Sequence, residues 1–167
     1  MTERAFRYCP HCRAELAMVE SGGRLRPTCS ACGFIHYLNP APGAGVILWR
    51  AGKVCLVQRK FAPKVGQWTL PTGFMEWDED IETTAVRETK EETGLDIELR
   101  GLFAVHNGLL PPDTPVVVIF YGAEEIGGEL TAGDDAAAVG FFALDDLPGP
   151  IAFAAHRKVL RALGATP

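Results

Sequence analysis

Three glutamates close together in the sequence most strongly limit how this chain can fold. Glu88, Glu91 and Glu92 lie within the segment Arg87-Glu-Thr-Lys-Glu-Glu92, and on an α-helix, at about 100° per residue, they occupy an arc of roughly 100°. Like charges four residues apart, such as those of Glu88 and Glu92, destabilise an isolated helix. A hard divalent cation such as Mg²⁺ or Mn²⁺, which prefers oxygen ligands, would offset that repulsion. A solvated helix surface can carry the same charges, so the surrounding sequence has to decide between the two interpretations.

The residues around these glutamates predict a helix over about Asp80 to Thr93. Asp78 or Asp80 can serve as the N-cap, because an Asp side chain accepts hydrogen bonds from the first free backbone amides. Gly94 can take the left-handed conformation that follows many helices. The carboxylates are therefore expected on the last two turns of a helix that follows a turn-rich segment.

A longer frame around the helix resembles the Nudix box. Its defining pattern, G-x5-E-x7-R-E-U-x-E-E-x-G-U, is matched at seven fixed positions and at the final apolar position, namely by Gly73, Glu79, Arg87, Glu88, Glu91, Glu92, Gly94 and Leu95. At ordinary residue frequencies such a match arises by chance about once in a million sequences or less. Thr89 departs from the pattern where a bulky apolar residue is usual, and Thr72 stands where many members have a second glycine.

The resemblance implies an α+β fold of the α/β/α sandwich type and a reaction class, the metal-dependent hydrolysis of a pyrophosphate bond. In the family, the glutamates that match Glu88, Glu91 and Glu92 hold Mg²⁺ or Mn²⁺. The family's glutamate that matches Glu79 and its arginine that matches Arg87 form an ion pair, which fixes the glycine loop on the helix. The general base is open between Glu91, Glu92 and an acid of a later loop. Two residues stand where such a loop acid is expected, Asp134 and Asp135.

The N-terminal segment contains two C-x-x-C motifs with residues 13–28 between them. This spacing is typical of a zinc site made by four thiolates, here those of Cys9, Cys12, Cys29 and Cys32. Four cysteines leave no open coordination position, so a structural Zn²⁺ is predicted, with His11 and His36 as less favoured ligands. Cys55 lies in a strand pattern and is expected in the core.

The turn-forming Asn39-Pro-Ala-Pro-Gly43 predicts a boundary between a zinc ribbon over residues 1–40 and a Nudix hydrolase domain over residues 41–167. In the larger segment, alternating and apolar runs predict a hairpin, further strands and a final helix, which together indicate an α+β layered domain. The predicted elements cover Gly45 to Trp49, Val54 to Val57, Trp68 to Leu70, Ile97 to Val105, Val116 to Gly122, Val139 to Ala143 and Ala154 to Leu163.

The substrate is less constrained than the reaction. Phosphate oxygens are expected near Arg59, Lys60 and Lys64. An adenine or flavin ring could stack on an aromatic side chain, the candidates being Phe61, Trp68, Phe74, Trp77, His106 and Phe153. The charged side chains could equally lie at solvated strand ends and turns, and for each aromatic side chain packing is the favoured alternative.

Within the family, the chain resembles the ADP-ribose and FAD pyrophosphatases more than the zinc-ribbon NADH pyrophosphatases. The latter carry a Ser-Gln-Pro-Trp-Pro-Phe-Pro-like segment after the box, where this chain has Phe103-Ala-Val-His-Asn-Gly-Leu-Leu-Pro-Pro112. Pro111 also lies near the position of a proline in ADP-ribose hydrolases of the family. NADH pyrophosphatase activity, and nucleotide or RNA binding without hydrolysis, are the alternatives.

Composition limits the partners and the compartment. A formal net charge of -5 disfavours a nucleic-acid partner, and a small-molecule nucleotide is expected instead. The first residues show no secretory signal, and no apolar run reaches the roughly 18 residues of a membrane span. A cytoplasmic protein without membrane association is therefore predicted. Many relatives are homodimers, and by analogy we expect the same here.

Overall fold

A computed structural model describes residues 6–111, 113–133 and 135–164. The chain divides into two units, Met1–Pro40 and Ala41–Pro167. In the smaller unit, β1 (Ala17–Ser21) and β2 (Arg24–Thr28) form an antiparallel hairpin. Its turn is made by Gly22 and Gly23, whose φ angles of 61° and 73° favour glycine. These two strands were not predicted from the sequence, because they are short, their side chains are mostly exposed and they contain no long apolar run.

The larger unit contains seven strands and two helices within the described residues. In chain order they are β3 (Ala41–Arg50), β4 (Lys53–Arg59), β5 (Trp68–Thr69), β6 (Thr72–Phe74), α1 (Ile81–Thr93), β7 (Leu95–Leu110), β8 (Thr114–Gly128), β9 (Ala136–Phe142) and α2 (Ala154–Gly164). The main strand order is β5-β4-β3-β8-β7, with β6 paired to β3 and β9 paired to β4. β3 and β8 run parallel, whereas the other pairs are antiparallel.

The two helices pack on opposite faces of this mixed sheet. Because side chains alternate along a strand, Ile47 of β3 points to the core that contains Val159 of α2. Its neighbours Val46 and Leu48 point to the core that contains Ala85 of α1. This layering confirms the predicted α+β sandwich. Neither described helix has the length and apolarity needed to cross a membrane.

The long strands extend beyond their predicted ends. β7 and β8 continue to Leu110 and Gly128 although residues such as Asn107 and Gly108 have low strand propensity. These residues pair with Val117 and Val116 of β8, so the partner strand imposes the extended conformation. The predicted β3–β4 hairpin is present and turns at Ala51 and Gly52, both with positive φ.

Candidate active site

Local hydrogen bonds determine where α1 begins and ends. Asp80 is the N-cap, and its Oδ1 accepts a hydrogen bond of 2.7 Å from the Thr83 amide. Gly94 follows the helix with a φ of 73°, and its amide donates to the Lys90 carbonyl at 2.9 Å. These ends place the three glutamates on the last two turns, next to the loop that contains β6.

Arg87 connects the helix to the preceding loop. Its Nε donates to Glu79 Oε2 at 3.0 Å and its Nη2 to Glu79 Oε1 at 2.6 Å, a bidentate ion pair. The same guanidinium donates to the Phe74 carbonyl, to Glu88 Oε1 at 2.8 Å and to Glu91 Oε2 at 3.1 Å. The hydrogen bonds from Arg87 lower the pKa of Glu79 to about 2. Glu79 therefore stays ionised at any physiological pH and holds Arg87 against the loop.

Gly73 presses directly against a carboxylate of the helix. It lies in β6, opposite Ala44 of β3, and a Cβ added to it would overlap the carboxylate of Glu88. Only glycine permits this approach. Burial raises the pKa of Glu88 above its ordinary value, while the nearby Arg87 opposes that rise.

Because of this contact, Gly73→Ala is expected to displace the Glu88 carboxylate or β6. A shift of about 1 Å at reacting groups can lower turnover by about 100-fold, so steady-state kinetics should show a loss of kcat of that order. Gly122→Ala is a matched control, since a Cβ on Gly122 of β8 meets no atom within 4 Å. Wild-type kcat in the Gly73 variant would contradict the interpretation.

Glu92 is the more deeply placed of the remaining carboxylates. Its Oε2 accepts a hydrogen bond of 2.9 Å from the Thr72 amide. Burial, with a smaller contribution from the charge of Glu88, raises the pKa of Glu92 to about 8 despite that hydrogen bond. Glu91 differs from both, because its side chain is 57% exposed.

The chemistry of these donors fits a divalent cation. Glu88 and Glu92 are half-buried residues whose ionised forms are disfavoured by desolvation, and a cation with oxygen preference would stabilise them as carboxylates. Arg87 Nη1 donates to both Glu88 and Glu91, while the Thr72 amide donates to Glu92. Among the described residues, the ligand atoms of the three glutamates do not all lie as close together as those of the four cysteines.

A cleft of about 740 Å³ opens beside Glu88 and Glu92. Its lining includes side chains of both charges and several aromatic rings, among them Arg59, Phe61, Lys64, Phe74, Asp135, Phe153 and Arg157. Arg59 donates from Nε to the Pro63 carbonyl at 2.7 Å, and its guanidinium carbon lies 5.2 Å from the centroid of the Phe153 ring. Asp134, the other predicted loop acid, lies outside the described residues.

Of the nine candidate substrate contacts, five line this cleft, namely Arg59, Phe61, Lys64, Phe74 and Phe153, whereas Lys60, Trp68, Trp77 and His106 do not. Lys60 is not among the lining residues, and its Nζ lies 5.5 Å from the centroid of the Phe61 ring. Trp68 also does not line the cleft. It is 8% exposed, belongs to the core on the α2 face and packs edge-on against Phe142.

The cleft also contains residues that no sequence motif indicates. Thr69 of β5 and two side chains of α2, His156 and Arg157, line it. A histidine and an arginine in an amphipathic helix form no recognisable sequence motif, so their position in the cleft could not be predicted. Only the packing of α2 against β5 brings them to the cleft.

In the smaller unit, four sulfur atoms lie within 4.8 Å of one another, those of Cys9, Cys12, Cys29 and Cys32. Two turns with the same backbone hydrogen bond carry these cysteines. The Arg13 amide donates to the Cys9 carbonyl and the Gly33 amide to the Cys29 carbonyl, both at 2.9 Å. This arrangement could hold a metal ion with sulfur preference.

The two nearby histidines make other contacts. His11 packs against Phe34 with ring centroids 4.8 Å apart, and His36 stacks on Phe6 at 4.0 Å. Neither belongs to the cluster of four sulfur atoms. Cys55 is fully buried in the core on the α1 face.

Comparison with known proteins agrees with this geometry. The NUDIX domain family model matches residues 39–163. The ADP-ribose pyrophosphatase of Methanocaldococcus jannaschii is 41% identical over 128 residues, which cover 75% of this chain and 73% of that protein. The crystal structure of a NUDIX hydrolase from Nitrosomonas europaea superposes with a TM-score of 0.83 at 33% identity, covering 96% of this chain and 92% of that one.

A further relative is longer than this chain. The NAD-capped RNA hydrolase NudC of Chromobacterium violaceum is 33% identical over 162 residues, which cover 93% of this chain but 58% of that protein.

Together, the sandwich fold and the carboxylate helix beside a cleft define a pyrophosphohydrolase. The chain belongs to the Nudix hydrolase family.

Proposed function

We propose that this protein hydrolyses the pyrophosphate bond of ADP-ribose, FAD or a closely related nucleoside diphosphate derivative, releasing a nucleoside monophosphate. One observation carries the proposal. A single cleft of about 740 Å³ joins the carboxylates of α1 to cationic and aromatic side chains. That volume lies in the range of sites for small organic ligands. A dinucleotide-like substrate needs both parts, since its diphosphate is anionic and its base is flat and apolar.

In this proposal, Glu88, Glu91 and Glu92 hold Mg²⁺ or Mn²⁺. When bound, the divalent metal neutralises charge on the diphosphate and lowers the pKa of a bound water. Arg87, paired with Glu79, keeps the glutamates and the glycine loop in their relative positions. The Thr72 amide orients the Glu92 carboxylate toward the cleft.

The residues at the other part of the cleft bind the substrate. Arg59 supplies a cation for the diphosphate, and its guanidinium is already oriented by the Pro63 carbonyl and the Phe153 ring. Phe61 and Phe74 are exposed enough to stack on a base, at 55% and 48% of their surface. Trp68 belongs to β5 and contributes from the core, where it anchors that strand, and Lys60 remains a proposed phosphate contact although it does not line the cleft.

The relative from Methanocaldococcus jannaschii favours ADP-ribose among these substrates, because its name states that activity. A second candidate has its own support. The match to the NAD-capped RNA hydrolase NudC extends over 93% of this chain, which is more than the hydrolase unit alone. NADH or an NAD-capped RNA is therefore the alternative substrate class. The alternative to enzymatic activity is a protein that binds nucleotides or RNA without hydrolysing them.

We further propose that residues 1–40 form a zinc ribbon, with a structural Zn²⁺ held by the four clustered cysteines, and that residues 41–167 form the hydrolase domain. Metal-ligating thiols favour a reducing compartment, so we place the protein in the cytoplasm. A homodimer remains our expectation by analogy with the family.

The substrate proposal predicts the outcome of a screen of ADP-ribose, FAD, NADH and an NAD-capped RNA with Mg²⁺ and with Mn²⁺. We expect the highest kcat/KM for ADP-ribose or FAD, measured as AMP release by chromatography, and no turnover after chelation of the divalent metal. Preference for NADH or the capped RNA would favour the rival class. Binding of ADP-ribose by calorimetry without AMP release would contradict enzymatic activity.

A further inference from the structure

His156 is a buried polar residue of α2 that no motif explains. It is 2% exposed, and its Nδ1 accepts a hydrogen bond of 3.2 Å from the Leu70 amide and lies 2.8 Å from Thr69 Oγ1. Because a backbone amide can only donate, Nδ1 must be unprotonated and the ring carries its proton on Nε2. Burial lowers the pKa of His156 to about 3, which keeps the ring neutral and this acceptor available.

The hydrogen bonds continue from this acceptor to the carboxylate helix. The Leu70 residue held by His156 accepts at its carbonyl a hydrogen bond of 2.8 Å from Thr72 Oγ1. The amide of the same Thr72 donates to Glu92 Oε2 at 2.9 Å. His156 of α2, 86 residues from Leu70 in sequence, is thereby connected through Leu70 and Thr72 to Glu92 of α1.

We propose that His156 is a positioning residue for Glu92, which it orients through the Leu70 and Thr72 segment. The inference rests on the proposed function, because it assigns His156 a part in that reaction. The ring does not need to touch the substrate for this purpose. Its acceptor atom fixes the backbone of residues 70–72, and that backbone presents the Thr72 amide to the carboxylate.

Packing is the competing explanation, since the His156 ring also lies edge-on to Phe120 and tilted against Phe153. Two substitutions separate the roles. His156→Phe keeps an aromatic ring but has no acceptor, whereas His156→Asn loses the ring and places Oδ1 near the position of Nδ1. If the ring matters mainly for packing, the phenylalanine variant should have the higher kcat. If the acceptor atom matters for positioning, the asparagine variant should have the higher kcat.

We expect His156→Phe to lower kcat for the best substrate of the wild type by about 10- to 100-fold, the effect typical of groups that support metal ligands. KM should stay unchanged, and His156→Asn should retain most of kcat. In a Glu92→Gln background, His156→Phe should cause no further loss, because the residue through which it acts has already been removed. Tyr121→Phe is a control that removes a polar group from another buried ring. Tyr121 lies in the core on the α1 face and does not line the cleft, so the kcat of this variant should equal that of the wild type.

A second readout needs no activity. In the metal-free full chain, hydrogen exchange of the Thr72 amide, measured by NMR relative to the buried Leu48 amide, should accelerate in His156→Phe and stay near wild type in His156→Asn. Equal effects of the two substitutions, or no effect of His156→Phe, would overturn the proposal. Should His156→Phe fail to fold, His156→Leu replaces it. A wild type without hydrolysis would refute only the proposed function, because the exchange measurement still tests the connection.

Discussion

Glu92→Gln is expected to lower kcat by about 1,000-fold or more, the scale observed when a group acting directly in the chemistry is removed. Glutamine matches glutamate in size and can still accept the hydrogen bond from the Thr72 amide. It lacks the negative charge that a divalent cation requires. Burial already disfavours the ionised form of Glu92 and raises its pKa, so loss of this charge should not reduce the free energy of unfolding. Kinetics with ADP-ribose and Mg²⁺, together with a thermal melt, would measure both effects.

Two further substitutions on α1 test whether the loss of turnover is specific to the proposed metal ligands. Glu91→Gln should also remove turnover, although Glu91 is exposed and held by Arg87, if it is a metal ligand as the box implies. Glu82→Gln is the matched control, because Glu82 lies in the first turn of the same helix and does not line the cleft. Wild-type turnover in both the Glu91 and the Glu92 variants would contradict the proposed metal site.

The sequence predicted α1 well because its determinants are local. The Asp80 cap, the left-handed Gly94 and the spacing of the glutamates all act within one helix and its ends. The ion pair of Glu79 with Arg87 is likewise made by residues close in sequence. For such contacts the positions of the residues along the chain are nearly sufficient to infer the geometry.

The cleft was less predictable because distant segments build it. Arg59 and Trp68 both preceded the box and were equally plausible contacts, yet Arg59 lines the cleft while Trp68 is in the core. The difference arises from the pairing of β5. The Trp68 amide donates to the Pro150 carbonyl and its carbonyl accepts from the Ala152 amide, so the segment before α2 covers the tryptophan. Sequence periodicity contains no information about that pairing.

The four cysteines were predictable as a group, and the structure adds that the smaller unit buries few other side chains. Among its described residues, the apolar core cluster contains Cys9, Leu16 and Cys29, with Ala14 and Phe34 packed against them. So small a set of apolar side chains cannot offset the conformational entropy of ordering the segment. A metal bound by the thiolates would supply the missing free energy, on the order of 10 kcal/mol in small zinc domains.

Removal of that metal is therefore expected to unfold the β1–β2 hairpin completely. In the full chain, Cys29→Ser should abolish stoichiometric zinc in elemental analysis and make the peptide bond after Arg24 rapidly cleavable by trypsin, since Arg24 lies in β2. Cys55→Ala is the matched control, because Cys55 is buried in the other unit and outside the sulfur cluster. It should retain zinc and protect Arg24. A reduced wild type without zinc, or a Cys29 variant as resistant to trypsin as the wild type, would show that the hairpin is stable without the metal, and the four thiols would then require another explanation.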